Sequence, residues 1–143
     1  MDSTPPLSQA ERRRLLGRLG EEVAARHLAA RGYRIVARNV RADRVEIDLV
    51  ARRGELLVFV EVKSRRGARH GLAAEAVDPR KQRRIRHGAS AWLAGRPSEA
   101  RGARRHRFDV VTCVCLDGDA GSRDATSAPE GARWSIEHWE AAF

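Results

Sequence analysis

The sequence predicts a single α/β domain, spanning residues 1 to 143, in which a central β-sheet carries helices on both faces. Three observations lead there. A helical pattern opens at a capping signal near residue 8, three strand-like segments follow from Tyr33, and a second helical pattern at 78 to 94 precedes a fourth strand. At 143 residues the chain has the length of one domain and can bury roughly 70% of its unfolded surface.

Residues 1 to 7 include Pro5 and Pro6, show no periodic pattern and are expected to form a mobile start. Ser8-x-x-Glu11 reads as a capping box. Leu16, Leu19, Val23, His27 and Leu28 then fall along one side at helical spacing, up to a stop at Arg31-Gly32. Gly17 and Gly20 weaken the first half of this helix. The segments YRIVARNV (33 to 40), VEIDLVA (45 to 51) and ELLVFVEVK (55 to 63) read as antiparallel strands, the last two joined by a tight turn at Arg52-Arg53-Gly54. The third is apolar on both faces through Val62, the pattern of a central strand covered on each side.

Residues 65 to 76 read as a loop. Asp78-Pro79 then supplies an N-cap and a first helical residue, and Ile85, Ala89, Trp92 and Leu93 recur at helical spacing as far as Gly95. The segment RFDVVTCVCL (107 to 116) is a fourth strand, and the small, polar residues 117 to 131 are expected to be a flexible loop. The tail WSIEHWEAAF is expected to dock Trp134, Ile136, Trp139 and Phe143 on the core, as a strand or a short helix.

The longest uninterrupted apolar stretch, LLVFV at 56 to 60, is far too short to span a bilayer. The N-terminus lacks the apolar stretch of a secretory signal, and Cys113-x-Cys115 is not a disulfide framework, so a cytoplasmic location is expected. Two thiols without a second Cys/His pair at zinc spacing read as core cysteines. The net charge of +9 and pI near 11.1 are the footprint of a polyanion binder. That footprint is discounted by composition, because 26 of the 28 cations are Arg, as a general drift toward Arg would produce. The same skew makes Lys63 and Lys81 informative: an ammonium is a compact point charge whose pKa falls on burial.

The sharpest chemical signal is Asp48 followed by Glu61-Val62-Lys63, two carboxylates and a lysine around one hairpin. With Arg53-Gly54 as a two-residue turn, Asp48 faces Phe59 and Glu46 faces Glu61. Asp48, Glu61 and Lys63 then share a face, with Asp48 and Glu61 as diagonal neighbours about 7 Å apart. Two such carboxylates and the Val62 carbonyl are hard oxygen donors suited to Mg2+ or Mn2+. Lys63 is then placed to orient or deprotonate a water, and the reaction class is metal-assisted phosphodiester hydrolysis. Taken alone, Glu-x-Lys reads as an ion pair on a wet strand. Here it interrupts LLVFVEV, where buried charge is costly unless paired or metal-bound. Arg107 and Asp109 either line this site or pair with each other.

Taken together, GEEVAARHLAARGYRIVARN (20 to 39), EIDLVA (46 to 51), VFVEVKSR (58 to 65), Lys81 before an apolar helix, RFDVV (107 to 111) and the closing Ala-Phe resemble the YraN family of uncharacterised bacterial proteins, within the restriction-endonuclease-like PD-(D/E)xK superfamily. The resemblance implies a restriction-endonuclease-like core with a central mixed β-sheet flanked by helices. It places Asp48, Glu61 and Lys63 at the metal and catalytic positions, and adds Glu21 from the first helix. Glu21 also borders the apolar side of that helix near Ala24 and Leu28, whereas Glu22 is explained by Arg26 at i+4. One departure is Val45, where the family usually has Gly, which puts the backbone of the turn at 42 to 44 in question. Glu46 reads as a supporting carboxylate or as the charge partner of a nearby Arg.

The expected function is a metal-dependent nuclease acting on DNA in branched or damaged forms, with Arg65, Arg66, Lys81 and Arg84 on the phosphate backbone. The alternative is a non-catalytic nucleic-acid-binding protein that keeps the fold, recruited with a protein partner. Either a monomer or a homodimer is compatible with the sequence.

Overall fold

A computed structural model describes residues 4 to 67, 77 to 116 and 132 to 143. Of the loop expected at 65 to 76, Arg65 and Arg66 are instead strand, and residues 68 to 76 lie outside the described residues, as do the first three residues and the segment 117 to 131 expected to be a flexible loop.

The first helix, α1 (Gln9–Ala30), starts at the expected capping box: Ser8 Oγ accepts from the Glu11 amide and Glu11 Oε2 accepts from the Ser8 amide. Strands β1 (Arg34–Ala42), β2 (Val45–Arg53) and β3 (Leu56–Arg66) follow, then α2 (Pro79–Ala94), β4 (Arg105–Cys115) and β5 (Trp134–Trp139). Asp78 caps α2 through the Lys81 amide, with Pro79 in its first turn. The strands form one sheet in the order β1-β2-β3-β4-β5. β3 and β4 are parallel and joined across α2, whereas the other neighbours are antiparallel, so the sheet is mixed. Among the described residues no helix is long and apolar enough to cross a membrane.

Strand β3 is central, as its two apolar faces require. On one side Ala24, Ala25 and Leu28 of α1 meet Leu49, Val58, Val60, Val111 and Cys113. On the other, Ala89 and Trp92 of α2 meet Ile47, Val50, Leu57 and Phe59, whose ring lies edge-on to Trp92 and stacked on Phe108. Burying each large side chain here contributes about 1.5–3 kcal/mol. Both cysteines are free and buried, as a core reading of them requires.

Two local expectations are corrected. The β2–β3 turn is Gly54-Glu55, not Arg53-Gly54: Arg53 pairs with Leu56 and Leu49 with Val60. Gly54 takes the left-handed backbone (φ 60°), Glu55 stays in the exposed turn and Leu56 enters the ladder buried. The slip is two residues, so every side chain keeps its face. The second correction concerns the tail, which is a strand. Trp134 and Ile136 pack on the α1 side and Phe143 stacks on Phe108, but Trp139 points to the other face and stays 39% exposed.

The question posed by Val45 resolves simply. The β1–β2 turn puts its left-handed residues at Asp43 (φ 47°) and Arg44 (φ 64°), and Val45 is ordinary strand. It packs against Gly88 of α2, where an added Cβ would lie 2.7 Å from Val45 Cγ1. Helix propensity alone favours Gly88→Ala by about 1 kcal/mol. The clash with a stiff β-branched side chain reverses the sign, and Gly88→Ala is expected to destabilise by about 1–3 kcal/mol in urea unfolding.

Candidate active site

The ladder between β2 and β3 ends at the Leu49–Val60 pair, and the side chain of Asp48 takes over beyond it. Asp48 Oδ2 accepts a hydrogen bond from the Val62 amide at 2.8 Å. This brings Asp48 beside Glu61, closer to directly opposite than the diagonal placement expected from the sequence. Glu61 is almost fully buried, and its Oε1 lies 2.6 Å from Lys81 Nζ and 3.6 Å from Lys63 Nζ. The only two lysines of the chain therefore meet on one carboxylate oxygen.

Helix α1 supplies Glu21 from the other side. Gly20 allows this approach, since a Cβ there would overlap Ser64 Oγ at 1.8 Å. Asn39, which sequence reasoning missed, lies in β1 between the Arg38–Leu49 and Val40–Ile47 pairs, with a left-handed backbone (φ 48°). Asn tolerates that conformation better than most residues, which was the one available signal. With its NH2 turned toward the carboxylates, its amide donates to Glu21 Oε2 at 3.1 Å and Glu46 Oε1 at 3.3 Å. Glu46 also pairs with Arg41 at 3.6 Å, and Glu22 with Arg26 and Arg38.

The electrostatics follow from burial and from like charges held together. Burial, then the Glu61 charge, pushes the Asp48 carboxyl up to about 7 against the pull of the Val62 amide. Burial also raises Glu21, aided by Glu46 and Glu61 and opposed by Asn39. Burial and the neighbouring Lys81 lower Lys63. Burial works the same way on Lys81, but the bonds to Glu61 and Lys63 and the charges of Glu61 and Asp48 together outweigh it and hold that ammonium above its ordinary value.

These residues fit a hard divalent cation in a particular sense. Among the described residues no three Asp, Glu, His or Cys side chains form a ready cage. Mg2+, however, is commonly held by one or two carboxylates and keeps its waters or substrate oxygens. Asp48 and Glu61 supply two carboxylates whose mutual repulsion a cation relieves, and the Val62 carbonyl is an adjacent oxygen donor.

The expected phosphate-contacting residues divide. Arg65 and Arg66 line a groove of 550 Å³ with Arg13, Glu21 and Lys63, next to the carboxylates. Arg84 lines a second groove of 640 Å³ with Arg44, Arg80, Arg83 and His87. Lys81 is drawn into the site by Glu61. Arg86 stacks over Phe108 and Phe143. Arg107 and Asp109 pair with each other at 2.8 Å, in a cluster with Tyr33 and His138.

The fold and site define a class: an α/β protein with a restriction-endonuclease-like core, in which two strand carboxylates and two lysines converge at one side of the central strand. Within that class the chain belongs to the Uncharacterised protein family UPF0102, whose profile matches residues 20–113. This is the YraN family of the resemblance. The UPF0102 protein of Frankia casuarinae is 55% identical over 96 residues, 67% of this chain and 79% of the relative. That of Chlorobaculum tepidum is 44% identical over 128 residues, covering 90% and 91%, and that of Anaeromyxobacter dehalogenans is 42% identical over 131 residues, covering 92% and 85%.

The raised Asp48 pKa has a consequence for stability. Folded Asp48 keeps its proton up to about pH 7, whereas the unfolded residue loses it near 3.8, so its favourable contribution is full below the lower value and is lost as pH rises through the higher one. In EDTA the protein should lose stability between about pH 4 and pH 7, with Asp48→Asn more stable than wild type at about pH 8 by on the order of 1–3 kcal/mol. Urea unfolding of both proteins at the two ends of this range checks the sign.

Proposed function

We propose that the protein is a metal-dependent nuclease that hydrolyses phosphodiester bonds in DNA, with branched and damaged forms among the candidate substrates. The observation that carries this reading is the Asp48–Glu61 carboxylate pair, held by the Val62 amide on one side and by the chain's two lysines on the other. Asp48, Glu61 and the Val62 carbonyl are the groups that would hold Mg2+ or Mn2+. The chemistry a bound cation supplies is polarisation of the scissile phosphate and stabilisation of the leaving oxygen. Lys63 Nζ, its pKa lowered by burial, is suited to orient the attacking water and accept its proton. Lys81 steadies Glu61, and Glu21 with Asn39 borders the water side of the site. Arg65, Arg66 and Arg84 would contact phosphates, which sets position on the substrate and not its sequence.

A second reading, a nucleic-acid-binding protein that does not cut, is favoured by one observation: Lys81 already neutralises Glu61 at 2.6 Å. The two readings part in one assay. A panel of single-stranded, duplex, flapped and four-way DNA, with RNA alongside, is incubated with Mg2+, Mn2+ or EDTA. The nuclease reading expects metal-dependent cleavage that Asp48→Ala and Lys63→Ala each reduce by about 100-fold or more. Binding of these substrates without cleavage would favour the non-cutting module, and cleavage that survives Asp48→Ala would rule out this mechanism.

A further inference from the structure

The end of the sheet remote from the carboxylates carries a third groove, of 590 Å³, lined by Arg34, Arg52, Arg53 and Arg101 with Ser98 and without an acidic side chain. It lies between the end of α1, the β2–β3 turn and the 3-10 turn at Ser98–Ala100. Arg53 is five residues beyond Asp48 along β2, about 16 Å at strand spacing.

The walls of this groove are built. The Arg52 guanidinium donates to the carbonyls of Gly54 (2.9 Å), Glu99 (3.1 Å) and Arg101 (2.6 Å), tying the β2–β3 turn to the chain that follows α2. Arg53 lies over the Tyr33 ring at 4.3 Å, which fixes its direction without neutralising it. Glu55, in the turn, is engaged by Arg104 at 3.7 Å. Arg34 and Arg101 are exposed, and their side chains have no anionic partner among the described residues. Three charged guanidinium groups thus converge on a concave surface that a fourth holds open.

We propose that this groove is a second binding site for nucleic-acid backbone, separate from the carboxylate site, so that one chain holds two nucleic-acid segments at once. The inference rests on the nucleic-acid reading above but not on cleavage. Phosphodiester oxygens are the ligand the groove fits, since guanidinium forks match them in geometry and the one carboxylate at its rim, Glu99 beside Ser98 at 3.5 Å, faces four arginines. α1 and α2 cover the faces of the sheet between the two ends, so a backbone seated in this groove reaches the carboxylate site across neither face.

The test uses the full chain in EDTA, which suppresses metal-dependent cleavage. A biotinylated duplex of about ten base pairs, roughly one helical turn, is immobilised, loaded with protein and offered a second, fluorescent duplex. Wild type should capture the second duplex. The exposed double variant Arg34→Glu, Arg101→Glu should still load on the first duplex, capture the second at least about 10-fold more weakly, and lower the salt slope of total binding by about 2. Unchanged thermal melting of the variant confirms that it is folded, and Arg34→Gln with Arg101→Gln should give an intermediate loss. A wild type that captures no second duplex, or a charge-reversed variant that captures it as well as wild type does, overturns the proposal. Loss of the nuclease reading would show instead in the cleavage panel, with this capture intact.

Discussion

The constraint on which this structure turns is the burial of the Glu61 carboxylate in the middle of the central strand. Both faces of β3 are covered, so a charge there is stable only if it is neutralised in place. Lys63 is available two residues along the same strand, but it is the more distant partner. The short contact comes from Lys81, which requires the first turn of α2 to begin where its ammonium can reach β3. Asp78 and Pro79 fix that start, and the crossover from β3 through α2 to the parallel β4 delivers it. Asp48 completes the arrangement by accepting the Val62 amide hydrogen beyond the end of the regular β2–β3 ladder.

A second buried carboxylate shows what full compensation looks like. Asp109 is entirely enclosed, yet it accepts two hydrogen bonds from Arg107, one from His138 and one from the Ala141 amide. Burial acts to raise its pKa, but those bonds outweigh it and hold the group below the ordinary carboxylate value. Asp48 has one amide donor and a carboxylate neighbour, and moves the other way. The same residue type on adjacent parts of one sheet is thus a satisfied cross-link in one place and an electrostatically unfinished group in the other. Asp109 ties the C-terminal turn to β4; Asp48 is left without such compensation.

Much of this was legible in the sequence because it depends on local chemistry. The capping box at Ser8, the Asp78-Pro79 start, the double-sided apolar run of β3 and the longer approach of Lys63 to Glu61 each follow from residues close together in the chain, whereas the short contact with Lys81 does not. The grouping of Asp48 with Glu61 survived an incorrect turn only because the slip was by two residues and side-chain direction repeats with that period. What was not legible depends on distant contacts. Nothing local marks Asn39 as the bridge between Glu21 and Glu46, since its role requires α1 and β2 to arrive on either side of it. Trp139 reads as core by composition, and only the alternation of β5 against β4 turns it outward.

The division of labour between the two cation types gives the site its chemical character. Arginine does the cross-linking that a broad planar fork does well: Arg52 gathers three carbonyls, Arg107 grips Asp109 and Tyr33, and Arg86 lies on two phenyl rings. In a chain with 26 arginines, both lysines converge on Glu61. An arginine in either place would hold a permanent, delocalised charge against that carboxylate. Lysine places a compact charge there, and the two ammonium groups respond differently: the bond to Glu61 keeps Lys81 charged, while burial and Lys81 itself press Lys63 toward releasing its proton. On the nuclease reading proposed above, a cation held above its ordinary pKa beside one pushed below it is the asymmetry that acid–base chemistry uses.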